Sequence, residues 1–238
     1  MGSGRYASLD EMKACHEASA TQMVTVAMRR LDTPTHALIL DGIDQKKIHL
    51  LPNTSGASTA AEALRYARIA VELGATHLKI EITGDLQTLL PDPIETLRAV
   101  ELICETADTK NLFLMVYTSD DIVMARRLFN AGAGCIMPLA RPIGSGRGLA
   151  NETNLMLMLE MLKGQVPVIV DAGIGRPSHA ARAMELGADG VLLNTAIAKA
   201  EKPIKMAEAM KHAVIAGRYG YLGGTIPAKM YATASSPS

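Results

Sequence analysis

The sequence predicts an α/β fold: one domain over residues 1–238, a (β/α)8 barrel of the TIM type with its first strand largely missing. Three observations predict it. Apolar stretches of strand length alternate with helical patterns along the whole chain, and they fill eight strand slots when the Gly2-Ser3-Gly4 turn is counted as the end of the first. No shift in composition and no linker divides the 238 residues, a length that suits eight βα units. The segment Val166-Pro167-Val168-Ile169-Val170-Asp171 is almost continuously apolar, the pattern of a parallel strand covered on both faces. Right-handed crossovers then make every strand parallel. An open doubly wound sheet is the rival architecture, and spacing alone leaves it standing.

The opening glycine-rich turn is followed by a helix at 8–19, where Ser8 suits the N-cap and Glu11 is its capping-box partner. Met23 to Met28 is a short apolar strand ending in Arg29-Arg30. Residues 31–47 are polar and irregular, broken by Pro34, with room for one helical turn. The next strand, Ile48–Leu51, closes in Pro52-Asn53-Thr54-Ser55-Gly56. A helix at 58–73 has Ala61, Leu64, Ala67, Ile69 and Val71 among its apolar positions and stops at Gly74. A strand over 77–83 and a helix over 92–107, opened after Pro91, come next. Then follow a strand at Leu112–Val116, a helix at 119–131 begun by Ser119-Asp120-Asp121, and a short strand at Cys135–Pro138. A glycine-rich loop, Pro142 to Gly148, leads to a helix at 151–163, the strand ending at Asp171, a helix at 177–187 and the last strand, Gly190–Asn194. A helix at about 203–216 closes the core, and 218–238 is a Gly/Ser/Ala-rich tail.

Lys+Arg and Asp+Glu balance at 24 each, which argues against a nucleic-acid or anionic-membrane partner. No apolar run reaches the length of a membrane span, and the first thirty residues lack the apolar core of a secretory signal. Cys15, Cys104 and Cys135 are scattered, without CxxC spacing, and read as reduced thiols of a cytoplasmic protein. The six histidines show no HxH or HxxxH pairing, so the sequence offers no metal site.

The chemistry centres on His77-Leu78-Lys79-Ile80-Glu81-Ile82-Thr83, which alternates strictly. If Leu78, Ile80 and Ile82 meet the helices, Lys79 and Glu81 turn toward the interior. A lysine there loses hydration, and its pKa is expected to fall toward a value at which the free amine attacks a carbonyl. The carboxylate two residues on can pair with it or move protons beside it. A structural ion pair would use the same residues. In a barrel of this kind phosphate is commonly held after strands seven and eight. Asp171-Ala172-Gly173-Ile174-Gly175, Asn194-Thr195 and Gly144-Ser145-Gly146-Arg147-Gly148 end three consecutive strand slots and offer backbone N–H donors. Turn geometry explains each glycine run equally, and none matches a P-loop or a GxGxxG fingerprint.

Several segments together resemble a known family. Leu51-Pro52-Asn53-Thr54, His77–Glu81, Leu89-Leu90-Pro91-Asp92-Pro93, Tyr117-Thr118-Ser119-Asp120-Asp121, Pro142–Gly146, Val170–Gly175, Gly187–Thr195 and Ala234-Ser235-Ser236-Pro237 are similar, in register over almost the whole chain, to thiazole synthase of bacterial thiamine biosynthesis. The resemblance implies a (β/α)8 barrel, as a homotetramer, that makes thiazole phosphate from 1-deoxy-D-xylulose 5-phosphate, dehydroglycine and sulfur. The sulfur arrives as a thiocarboxylate on the C-terminus of a ubiquitin-like carrier protein. The resemblance also implies Lys79 as the Schiff-base lysine, Glu81 and Asp171 as acid–base carboxylates, and Gly144, Ala172, Gly173, Asn194 and Thr195 as contacts of the sugar phosphate. No metal or organic cofactor is needed, because the lysine is itself the electrophilic catalyst. A side chain at Gly173 is expected to crowd the phosphate.

Two departures stand out. Family members usually carry further residues before the Gly2-Ser3-Gly4 turn, including most of strand one, and Val116 stands where proline is frequent. The first departure predicts unpaired edges on the flanking strands; a start codon placed too late would account for it. A Schiff-base sugar-phosphate aldolase or lyase would share Lys79 and the glycine loops but need no protein partner. A non-catalytic paralogue would keep the loops alone.

Overall fold

The computed structural model describes residues 1–28 and 40–236. Seven strands alternate with helices in the order α1 (Leu9–Ser19), β1 (Met23–Ala27), β2 (His49–Asn53), α2 (Ala60–Glu72), β3 (His77–Ile80), α3 (Pro93–Glu105), β4 (Phe113–Thr118), α4 (Ile122–Asn130), β5 (Cys135–Pro138), α5 (Glu152–Leu162), β6 (Ile169–Asp171), α6 (Pro177–Glu185), β7 (Gly190–Leu192), α7 (Thr195–Ala198) and α8 (Pro203–Gly223). Strands β1 to β5 pair in chain order and β6 pairs with β7, every pair parallel. Parallel bridges from Ile136 to Val168 and from Leu139 to Asp171 join β5 to β6. On the other side the Gly2 N–H donates to the Leu193 carbonyl at 3.3 Å, and the Thr25 N–H donates to the Met1 carbonyl at 2.8 Å. The edges expected to lie unpaired beside the first slot are therefore both bonded to the Met1–Gly2 segment, at Thr25 in the middle of β1 and at Leu193 just past β7. Strand order and helix placement match the barrel prediction, and the doubly wound alternative falls, because its strand order reverses at a switch point.

The core has two layers, set by the period of two along each strand. Leu78, Ile80 and Ile82 face outward with Val116 and Ile136 into a shell that includes Ala63, Ala67 and Ala70 of α2 and Ala99, Val100 and Ile103 of α3. Alanine along the inner stripes lets the helices lie close to the strands. Leu51, Met115, Cys135, Met137 and Leu192 form a separate cluster on the inward faces, as the filled interior of such a barrel requires. Helix α1 begins at the cap that the sequence marks. Ser8 caps α1 by accepting the Glu11 N–H, while Glu11 reaches back to the Ala7 N–H at 2.9 Å. Asp92 caps α3 and Asp121 caps α4.

Several boundaries differ from the sequence reading, among them the end of the strand read as Leu112–Val116, which runs Phe113–Thr118, and of the last strand, which stops at Leu192. Strand β2 runs two residues further, through Pro52 to Asn53, paired at Val26–Pro52 and Ala27–Asn53. The regular part of the 77–83 strand stops at Ile80, beyond which Ile82 and Thr83 make only isolated bridges. The strand expected from Val166 is regular only from Ile169, since Pro167 has no N–H to give and the Val168 N–H goes to the Asp189 carboxylate at 2.9 Å. The last helix extends to Gly223, seven residues beyond its predicted end, so the tail starts after it rather than at 218. Gly217 does not break α8; it lets the helix lie on α6, where a Cβ would strike the Ala181 carbonyl oxygen. Of the irregular region 31–47, residues 31–39 with Pro34 lie outside the described residues, as does the Arg29-Arg30 end of the first regular strand, and 40–47 is a helical end at Leu40–Asp41 followed by turns.

Candidate active site

Lys79 stands inside the barrel, 4% exposed, with Nζ in contact with the Asp171 carboxylate and 3.7 Å from Glu81 Oε2. Two different strands supply these carboxylates: Glu81 follows β3, and Asp171 ends β6 on the far side of the interior. Glu81 is fixed at both ends. The Asn53 amide donates to Oε2 at 2.8 Å, and the Thr54 hydroxyl accepts the Glu81 N–H at 2.8 Å while donating to its carbonyl at 3.0 Å. Asn53 is oriented in turn by the Ser55 N–H, 2.7 Å from its Oδ1. This clamp takes the place of ladder bonding beyond Ile80, and it needs the two extra residues of β2.

The expectation for Lys79 is corrected. Burial does pull the ammonium down, but Asp171 and then Glu81 outweigh it and hold the group above its ordinary value. Asp171 shifts the same way for a different reason: burial pushes its carboxyl up against the opposing pull of Lys79. Both shifts keep a proton within the pair. An ammonium on Lys79 thus has a carboxylate of Asp171 already in contact with it.

Around this pair lies a cavity of about 200 Å³, below the roughly 300–1,000 Å³ of drug-sized ligand sites and so scaled to a small metabolite. Its floor includes Lys79, Glu81 and Asp171, and its rim includes Gly144, Ala172, Gly173, Asn194 and Thr195, so the eight residues singled out in the sequence line one space. The backbone N–H groups of Gly144, Gly173 and Asn194 find no acceptor among the described residues, and Thr195 opens a helix, where no preceding turn supplies one. The rim is tied together by its main chain. The Gly148 N–H donates to the Gly173 carbonyl and the Ala140 N–H to the Asp171 carbonyl, both at 2.9 Å. Ala172 is held at φ 56°, left-handed for a residue with a Cβ, with its N–H donating to Asp171 Oδ1 at 2.7 Å. A side chain at Gly173 would collide with the Arg141 backbone instead of crowding a ligand, which corrects the expectation for that position.

Three neighbours of the site were not singled out as site residues from the sequence. Asn53 lay just past the predicted end of its strand. The Gly2–Gly4 turn lines the cavity and is pinned there by the Asn194 amide, 2.9 Å from the Gly4 carbonyl, and by His16 Nε2, 3.2 Å from the Gly2 carbonyl. Tyr117, on β4, sets its ring 5.4 Å from Lys79 Nζ. The alternation Leu51–Asn53 and Met115–Tyr117 was the available signal for two of them, since each shares an inward face with a core residue.

A family model described as thiazole biosynthesis protein ThiG matches residues 1–237. Thiazole synthase of Anoxybacillus flavithermus is 52% identical over 100% of this chain and 92% of its own length, and that of Bacillus subtilis is 50% identical over 100% and 91%. Among solved structures, a chain of the Amycolatopsis orientalis BexX/CysO complex superposes with a TM-score of 0.84 at 31% identity, covering 95% of this chain and 91% of that one. A thiamine phosphate pyrophosphorylase from Pyrococcus furiosus shares the fold alone, with a TM-score of 0.60 at 15% identity over 90% and 92% of the two chains.

Proposed function

The chain belongs to the thiazole synthase family, enzymes of thiamine biosynthesis, and from that premise we propose that Lys79 forms an imine with the ketone of 1-deoxy-D-xylulose 5-phosphate. The observation that carries the proposal is the Lys79–Asp171 contact on the floor of a cavity rimmed by unpaired backbone donors. Proton transfer from the ammonium to Asp171 frees the amine, which adds to the ketone carbon. The carbonyl oxygen leaves as water, taking two of the three ammonium protons, and the nitrogen keeps the third as a protonated imine. Charge is conserved throughout, which a dry interior favours. The cation then acidifies the neighbouring carbon, whose proton passes to Glu81 or Asp171, and the carbonyl moves one carbon along the sugar. The phosphate sits on the N–H groups of Gly144, Gly173, Asn194 and Thr195, beside Ala172.

Sulfur then enters at the moved carbonyl from the thiocarboxylate of a ubiquitin-like sulfur carrier protein, and dehydroglycine supplies the nitrogen before the ring closes with loss of water. The likeness to a chain of the BexX/CysO complex supports a carrier docking over the cavity mouth. We place the reaction in the cytoplasm; among the described residues no helix is long and apolar enough to cross a membrane.

The test is reductive trapping. Incubation with the pentulose phosphate and borohydride should add a stable mass to the peptide that contains Lys79. Lys79→Ala should abolish it, and so should Lys79→Arg, whose guanidinium stays protonated. Labelling that survives Lys79→Ala would overturn the assignment. Turnover that depends on the thiocarboxylated carrier separates this reading from an aldolase or lyase.

A further inference from the structure

We infer that Tyr117 is a positioning residue of this reaction, whose aromatic face holds the positive charge on Lys79 Nζ, as ammonium before substrate adds and as protonated imine afterwards. The inference deepens the imine reading above and rests on it. Strand register places the two residues together: Lys79 pairs with Met115 and Ile80 with Val116, so Tyr117 stands level with Glu81 on the neighbouring strand and shares the inward face. The ring is 1% exposed and its centroid lies 5.4 Å from Nζ, within reach of a cation–π contact. Tyr117 does not line the cavity, so it acts through the lysine and not on the substrate.

Nζ has three favourable neighbours, Asp171, Glu81 and this ring. The two carboxylates are also the groups that must take up protons as the reaction runs. Each time one does, it stops favouring the cation. The quadrupole of the ring does not titrate. Burial, and behind it the charges of Asp171 and Glu81, push the phenol far above its ordinary pKa, so the ring stays neutral. Of the three, it is therefore the neighbour whose attraction for the nitrogen's charge is constant along the reaction. The hydroxyl has no partner among the described residues, so the effect belongs to the ring and not to the oxygen.

The experiment replaces Tyr117 with phenylalanine and then with the 4-fluoro, 3,5-difluoro and 3,4,5-trifluoro phenylalanines, which drain the ring face while nearly keeping its shape. Reductive trapping at saturating 1-deoxy-D-xylulose 5-phosphate and carrier-dependent kcat and KM are measured for each. Tyr117→Phe should stay within about twofold of the native rate, and the trifluoro ring should lose roughly tenfold in both trapping rate and kcat, with KM steady. A flat series, or a loss carried by KM or by melting temperature alone, overturns the role of Tyr117. Failure of the native enzyme to trap would instead bring down the imine reading beneath it, and this inference with it.

Discussion

Asp171 touches Lys79 Nζ, and the Asn53 amide holds the Glu81 carboxylate beside it. Asp171→Asn keeps the shape but removes the contact acceptor for the ammonium proton, so trapping and kcat should both fall by about 10²–10⁴. Equal trapping by native and variant enzymes would exclude Asp171 as that acceptor. Asn53→Ala leaves Glu81 tethered by its backbone but frees its carboxylate. Imine trapping should persist while kcat drops roughly tenfold, the value of about 1.4 kcal/mol for a lost buried charge-assisted hydrogen bond. A variant that loses both together would place Asn53 in structure alone. The sequence gives Lys79 and Glu81 away through strict alternation, and Asp171 through its place at a strand end. It does not give the sign of the Lys79 shift. That depends on a carboxylate ninety-two positions away in the chain, brought into contact only by the closing of the interior.

At the scale of elements, His16 joins α1 to the Gly2–Gly4 turn through its bond to the Gly2 carbonyl. Burial holds this imidazole below its ordinary pKa, so the unfolded chain takes up a proton that the folded one resists. The sign follows: stability is full above about pH 6.5 and drains as pH falls from there toward the folded value, by up to about 1.4 kcal/mol per pH unit for one group. His77 and His179 shift the same way, so the test is a difference. Denaturant unfolding of native protein and His16→Leu at pH 7.5 and 5.5 should show the flatter pH dependence in the variant; parallel slopes would remove His16 from the account. Packing of α8 on α6 gives a second test. Gly217→Ala drives a methyl into the Ala181 carbonyl and should cost about 1–3 kcal/mol, while Gly223→Ala, with nothing within 4 Å, should be neutral or mildly stabilising. Thermal melts of both variants decide whether close approach or helix propensity governs α8. The same helix shows why one boundary was misread. Read locally, Gly217 and Gly220 look like breakers, and only the neighbouring helix explains Gly217. The Ser8 cap is legible because its bond closes within three residues, whereas Asp92 and Asp121 take up their capping roles inside stretches that the sequence marks only as helix starts.

For the whole molecule, exposed apolar side chains stand on adjacent helices, Val123 on α4 with Met156 and Leu157 on α5. We propose that association of four copies covers them, and light scattering should then return four times the chain mass; a monomer would contradict it. The strand ends also fix something that no single residue does. Lys79 is anchored on β3, while the N–H groups without an acceptor among the described residues belong to the loops after β5, β6 and β7, so the separation between them is a constant of the fold. On the imine reading proposed above, it works as a ruler. A ketose phosphate can satisfy both marks only if the right number of bonds lies between its carbonyl and its phosphorus. Dihydroxyacetone phosphate, with the same two functional groups set closer together, should reach one mark or the other, and its trapping on Lys79 should be slow even at concentrations that fill the rim.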